Sequence, residues 1–244
     1  PVIVLAGLVN AAIVFYNSTG TIEEQTLSAL HTFERTVEES IQTQAKNLGM
    51  SMDLLLENER IVSAFAEGDR ETLADRTLPL YENKLKPDYG IQQFHFHTPD
   101  SHSFFRTHKP AKNGDDLSEF RRTVVAANQE QERAQGLEVG RAGLGLRVVA
   151  PVSHNGQHVG SVEFGGSALN IVETAAKQAE VSFAVGVHQD VFKAAGRFES
   201  GEKDQIRGDT VFYTYSGPEA RRTLDQLPAD HSGQWTEMGE RTYV

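Results

Sequence analysis

The chain is predicted to be an α+β protein. Three observations lead there: a run of more than forty residues with helical periodicity, a set of short strands of alternating polarity joined by hairpin turns, and a pattern without the regular strand–helix–strand alternation of a doubly wound parallel sheet. At 244 residues there is material for one large domain or two small ones.

The first sixteen residues read PVIVLAGLVNAAIVFY, with Asn10 the one strongly polar side chain. As a helix they would reach roughly 24 Å, short of the roughly 30 Å hydrocarbon core of a bilayer. The expectation is the C-terminal part of a transmembrane helix, residues 1–16, whose start precedes this sequence. A signal-peptide core and a buried helix are the alternatives.

From Thr21 to Phe65 there is no proline. Leu27, Leu30, Phe33, Val37, Ile41, Gln44, Leu48, Met52 and Leu55 step by three or four. This predicts one long amphipathic stalk helix over 21–65, of roughly 60 Å. Such a helix either spans two modules or pairs with a partner helix, giving a homodimer through this element. A bundle helix is the other reading. Gly68 to Leu85 reads as a shorter helix broken at Pro79, and Lys86 to Gly90 as a turn.

Strands follow. In Ile91–Thr98, Phe94 and Phe96 point to one face, His95 and His97 to the other. In Ser103–Lys109, Phe104, Arg106 and His108 share a face. Asp115-Asp116 sits where a helix N-terminus favours acid, which predicts a helix from Asp115 to Glu130 with Arg121 leaning toward the sheet. Gly136 opens another strand, and Gly140, Gly143 and Gly145 mark bends. Leu146–Val152 and His158–Phe164 form a hairpin about Asn155-Gly156. Beyond Gly166 come a helix (168–179), a strand (181–188), a short helix (191–195), a charged loop (196–209), a strand (210–215), a helix (218–227) and a strand-like end.

The net charge of −11 excludes a nucleic-acid surface, because phosphate binding needs a basic field. The absence of cysteine excludes disulfides, thiolate metal sites and cysteine nucleophiles. No nucleophile elbow, phosphate-binding loop or HExxH is present, so an enzyme is not expected, and neither is a cofactor.

The cations concentrate between Ile91 and Gly165. A carboxylate needs convergent donors in a partly dry pocket, and arginine supplies them bidentately. The candidate ligand-binding residues are Arg106, His108 and Lys109 as one cluster, Arg141 and Arg147 flanking the glycine bend, His95 and His97 on one strand face, and Arg121 from the helix. Each has a structural reading beside this one. Arg106 could pair with Glu138 or Glu163, Arg141 and Arg147 with Asp115 or Asp116, the histidines could be satisfied core groups, and Lys109 could be solvated. A metal on His95-x-His97 with His102 or His108 is a second reading, opposed by the neighbouring Arg106 and Lys109.

FHFHTP at Phe94–Pro99, SFFRTHKP at Ser103–Pro110, GDDLSEFRRTV at Gly114–Val124, GLEVGRAGLGLR at Gly136–Arg147 and GSVEFG at Gly160–Gly165 resemble the extracytoplasmic sensor region of bacterial methyl-accepting chemotaxis receptors and related sensor kinases. The resemblance is to the double-Cache type. It implies two stacked PAS-like antiparallel-sheet modules on the long helix. The membrane-distal ligand module would cover 66–166. The membrane-proximal one would cover 167–244 and reads as incomplete at its C-terminus. It further implies a bacterial inner-membrane protein with this region in the periplasm, a small organic anion as ligand, and a helix displacement as the signal. A histidine kinase or cyclase sensor, or a His-rich metal-sensing module, are the alternatives to a chemoreceptor.

Overall fold

The computed structural model describes residues 2–7, 11–16, 23–140, 143–194 and 204–226. They are organised in two compact units. One gathers residues 1–41, 139–144 and 169–242, the other residues 42–138 and 145–168.

The first unit is built on an antiparallel sheet of order β1-β2-β8-β10-β9. Strands β1 (Val2–Gly7) and β2 (Ala11–Tyr16) pair with each other, and β2 pairs with β8 (Ser182–His188). This corrects the expectation of a membrane helix over residues 1–16. Val2-Ile3-Val4 and Ile13-Val14-Phe15 are β-branched or aromatic, and such residues fit a pleated sheet better than a helix. No helix among the described residues is long and apolar enough to cross a membrane. β9 (Gln205–Arg207) and β10 (Thr210–Tyr215) form a hairpin, so part of the expected charged loop is strand. Helices α6 (Ala168–Ala179), α7 (Gln189–Ala194) and α8 (Pro218–Gln226) complete the described residues from this stretch. The strand-like end from Gln234 lies outside the described residues.

The long helix is two. α1 runs Glu23–Leu56 and α2 runs Glu59–Ala66. Asn58 separates them, its side chain accepting from the Arg60 N–H at 3.2 Å as an N-cap. The apolar stripe Leu30, Phe33, Val37, Ile41, Ala45, Leu48, Met52 and Leu55 is buried within the chain itself. The periodicity that pointed to a partner helix is therefore satisfied inside one protomer. Met50 and Leu54 are the large apolar side chains α1 leaves exposed among its described residues.

α3 (Arg70–Leu80) is capped by Asp69 and is not broken at Pro79. The missing proline N–H is followed by one π-helical turn, Tyr81–Leu85, then by α4 (Lys86–Tyr89), which ends on left-handed Gly90 (φ 65°).

The sheet of the second unit has the order β4-β3-β7-β6-β5. Its strands are β3 (Gln93–His97), β4 (Ser103–Arg106), β5 (Ala134–Gly140), β6 (Gly143–His154) and β7 (Gln157–Ser167). One face is aromatic: Phe94 packs on Phe96 and Phe164, and Phe65 of α2 packs on Phe96 and Phe104. The opposite face is polar and is covered by α5 (Arg122–Glu130). Val124, Ala126 and Ala127 of α5 pack with Ala134 and Val149.

α5 starts seven residues later than the acidic pair predicted. Residues 114–117 instead hydrogen-bond to the start of β4 and the residues just before it: Ser103 N–H donates to Asp115 O (2.9 Å), Gly114 N–H to Ser103 O (2.8 Å) and Leu117 N–H to Ser101 O (3.1 Å). Backbone groups engaged in an edge ladder cannot also begin a helix.

Candidate functional site

Strand alternation builds the polar face. On β3, His95 and His97 point away from Phe94 and Phe96. The β3–β7 register sets His95 opposite Glu163 and His97 opposite Ser161, and the β6–β7 register sets Arg147 opposite Gly165. The polar residues Ser161 and Glu163 thus share one face of β7, with Val162 and Phe164 on the other.

Glu163 is the hub, and it is fully buried. Its Oε2 lies 2.6 Å from Arg121 Nη2 and 3.4 Å from His97 Nε2, and its Oε1 lies 3.4 Å from Arg147 Nη1. Burial opposes its charge, yet Arg121, His97 and Arg147 together hold its carboxyl well below the usual carboxylate range. Burial likewise opposes the charge of Arg121, but Glu163 and Glu138 outweigh it and raise its pKa. Arg147 is different: burial lowers its pKa, and Glu163 only partly offsets this.

Arg121 stands immediately before α5. Its Nε donates to Glu138 Oε2 at 2.8 Å. The other oxygen of Glu138 accepts from both the backbone N–H and the hydroxyl of Thr123, each at 2.8 Å. Glu138 on β5 therefore caps α5 from outside the helix, where Arg121 itself offers no capping side chain. The N-terminus of α5 is attached to the sheet through two carboxylates, one on β5 and one on β7.

The two imidazoles lie with ring centroids 4.1 Å apart, their planes tilted by 59°. His95 Nε2 is 2.8 Å from Ser103 Oγ, and His97 Nδ1 is 3.1 Å from Ser161 Oγ. Burial pushes the pKa of both below the ordinary histidine value.

The guanidinium of Arg147 lies over the backbone of two glycines. A Cβ at Gly145 would sit 3.0 Å from its Nη2, and a Cβ at Gly165 would collide with its Nη1. These glycines leave room for a buried arginine. The bend assigned to Gly145 is in fact a position inside β6.

The structure therefore brings together His95, His97, Arg121 and Arg147 of the sequence candidates. The expected Arg106–His108–Lys109 cluster does not form. Arg106 makes a bidentate pair with Asp115 (2.6 and 2.8 Å) and donates to Lys112 O (2.9 Å). Its partner is thus neither Glu138 nor Glu163. β4 ends at Arg106, so the chain turns and His108 Nδ1 comes 3.1 Å from Phe94 O. Lys109 is exposed in that turn. Arg141 lies outside the described residues. Glu163, a competitor for Arg106 in the sequence, is the centre in the structure; its alternation with Val162 and Phe164 is the signal that places it on the polar face. Ser103, Ser161, Thr123 and the capping role of Glu138 carried no motif.

His95, His97 and Glu163 present ligand-type atoms within 4.8 Å of one another. A divalent cation there would sit beside two guanidinium groups, each facing one oxygen of the carboxylate it needs. That charge set fits an anion or an internal salt bridge better than a metal. A separate open depression of about 720 Å³ is lined by Leu54, Glu57, Asn58, Glu59, Arg60 and Arg76, and shares no residue with the cluster.

Among solved structures the chain is similar to the sensor domain of the histidine kinase DctB of V. cholerae, at 14% identity and a TM-score of 0.52, covering 69% of this chain and 65% of that one. It spans about two thirds of that domain's length, and the likeness shows the fold. Two others are the extracellular domain named vpHK1S-Z8 (12% identity, TM-score 0.48, 84% and 96% covered) and the periplasmic domain of Vibrio cholerae LuxQ (10%, 0.40, 61% and 71%). No curated protein matches the sequence. The family model described as the double sensory domain of two-component sensor kinases matches residues 23–244. With its long helix, its two antiparallel sheets and a model match over most of its length, the chain belongs to this double-Cache family of sensory domains.

Proposed function

We propose that this chain is the periplasmic sensing region of a membrane-bound two-component sensor kinase, and that it responds to a small organic anion, most simply a carboxylate, at the polar face of the second unit. The family description favours a kinase over a methyl-accepting receptor as the output. The region acts by binding and performs no reaction.

The observation that carries the ligand is Arg147. Its guanidinium is buried and laid over Gly145 and Gly165, and its Nε has no hydrogen-bond partner among the described residues. Its contact with Glu163 is long, at 3.4 Å. A buried cation held this loosely gains from a better-placed carboxylate. A ligand carboxylate on Arg147 would displace the Glu163 contact. Entry requires the covering segment 115–121 and α5 to shift. Binding signals only if the shifted and unshifted states differ in affinity.

A thermal-shift screen of the full chain against acetate, propionate, succinate, glycine, alanine and phosphate tests this. The expected result is a rise in melting temperature with at least one carboxylate, cancelled by Arg147→Ala in a variant that still unfolds cooperatively. No rise with any of them, or a rise that Arg147→Ala leaves intact, overturns the reading.

A further inference from the structure

His97 and Arg121 share one acceptor. Both approach Oε2 of Glu163, at 3.4 and 2.6 Å, while Oε1 faces Arg147. We propose that the His95–His97 pair is a proton-sensing site: a proton taken up there makes His97 a competitor of Arg121 for that oxygen and loosens the attachment of α5 to the sheet. The stimulus is the proton itself, and the inference does not depend on an organic ligand.

The charge balance around the pair explains why one proton matters. His95 and His97 come from β3, Arg106 from β4, His108 from the turn after it, Glu138 from β5, Arg147 from β6, Glu163 from β7, and Arg121 from the residue before α5. Asp115 closes on Arg106. Arg106, Arg121 and Arg147 are matched by Asp115, Glu138 and Glu163, so the described cluster is neutral while the imidazoles are neutral. A single added proton leaves it with an uncompensated charge in a space closed to water.

The proton settles on His97. His97 Nε2 lies at ion-pair distance from the Glu163 carboxylate, 3.4 Å, whereas His95 directs Nε2 to the Ser103 hydroxyl. Rings 4.1 Å apart do not both charge in this range, because the second proton would meet the first. Burial holds both imidazoles below the ordinary histidine range, so uptake requires a pH below that range. Imidazolium at His97 tightens on Oε2 and repels the guanidinium that shares it. Arg121 keeps its bond to Glu138, so α5 loses its tie to β7 and retains the one to β5. The outcome is a hinged loosening at one helix end rather than unfolding.

Hydrogen exchange of the full chain at about pH 7.5 and about pH 5.5, in buffer free of small carboxylates and corrected for intrinsic rates, reads this directly. Peptides from residues 122–130 should exchange about tenfold faster at the lower pH, with the β6–β7 hairpin nearly unchanged. His97→Gln should abolish the difference, and Arg121→Gln should give fast exchange at both pH values. Imidazole NMR of wild type gives an independent reading: His97 should titrate in step with the exchange while circular dichroism shows an intact fold. The proposal is overturned if α5 exchanges equally at both pH values in wild type. It is also overturned if folded His97→Gln keeps the full difference, or if the His97 ring stays neutral while α5 loosens. An anion-binding failure in the thermal screen leaves these outcomes unaffected, so the two readings fail separately.

Discussion

Arg147 and Gly165 face each other across β6 and β7, and the guanidinium occupies the place a side chain at 165 would take. The pairing couples a binding candidate to a packing constraint. Gly165→Ala forces Arg147 out of its position, and overpacking of this kind costs about 1–3 kcal/mol. Urea denaturation should show that loss, and the variant should also lose any carboxylate-induced thermal shift. Gly156→Ala, in the exposed turn, should leave the shift in place.

The Glu163 ion pairs are buried, so removing one partner strands the other. Arg121→Ala should destabilise by about 3–5 kcal/mol, the range for breaking a buried pair. Glu163→Gln leaves Arg121 and Arg147 without their shared carboxylate and should cost a similar amount. A double-mutant cycle of the two substitutions should give strong coupling, read by chemical denaturation.

Stability should fall on acidification in two stages. Burial depresses the pKa of His95, His97 and His108, so the unfolded chain binds their protons first. The stability they allow is complete above the unfolded histidine value of about 6.5 and declines as pH falls below it. Glu163 and Asp115 are depressed carboxylates, held by their arginines, and contribute stability above about pH 4 that is lost below it. Melting temperature against pH should therefore be flat above neutrality, with a shallow decline first and a steep one later. His97→Gln should make the first stage shallower, leaving the part due to His95 and His108.

The stripe of α1 is internal, and this is testable through concentration. Met52 is fully buried within the chain. Met52→Ala should cost about 2–5 kcal/mol, and the loss should be the same at low and high protein concentration. A seam between two copies would make it concentration-dependent.

Arg106→Ala should free the 107–115 segment without disturbing the Glu163 cluster. Arg106 ties Asp115 and the Lys112 carbonyl to β4. Limited proteolysis should cut between Lys109 and Asp115 faster in the variant, while the carboxylate-induced thermal shift persists.

Much of the fold was legible because it rests on local periodicity. The alternation in Phe94–His97, the Asn155-Gly156 turn and the stripe from Leu30 to Leu55 each determine a face by spacing alone. The misreadings arise where a distant partner decides. Asp115 and Asp116 look like a helix start until β4 takes their backbone bonds. Residues 1–16 look like a membrane helix until β8 offers them an edge. At the site, spacing could put His95 and His97 on a common face with Glu163, but not show which cation meets which carboxylate. Arg106, the strongest candidate by its neighbours in sequence, was matched by Asp115 through a loop whose path no periodicity encodes.

The two faces of β3 and β7 also act as an address. A slip of one residue by β3 would turn Phe94 and Phe96 toward the face of Glu163 and Arg121, and put His95 and His97 on the aromatic face with Phe164 and Phe65. A sheet greasy on both sides would tolerate several alignments; this one penalises all but its own with unpaired charge. The polar cluster is thus also a proofreading mark for assembly, and its ion pairs reject misaligned strands while the chain folds.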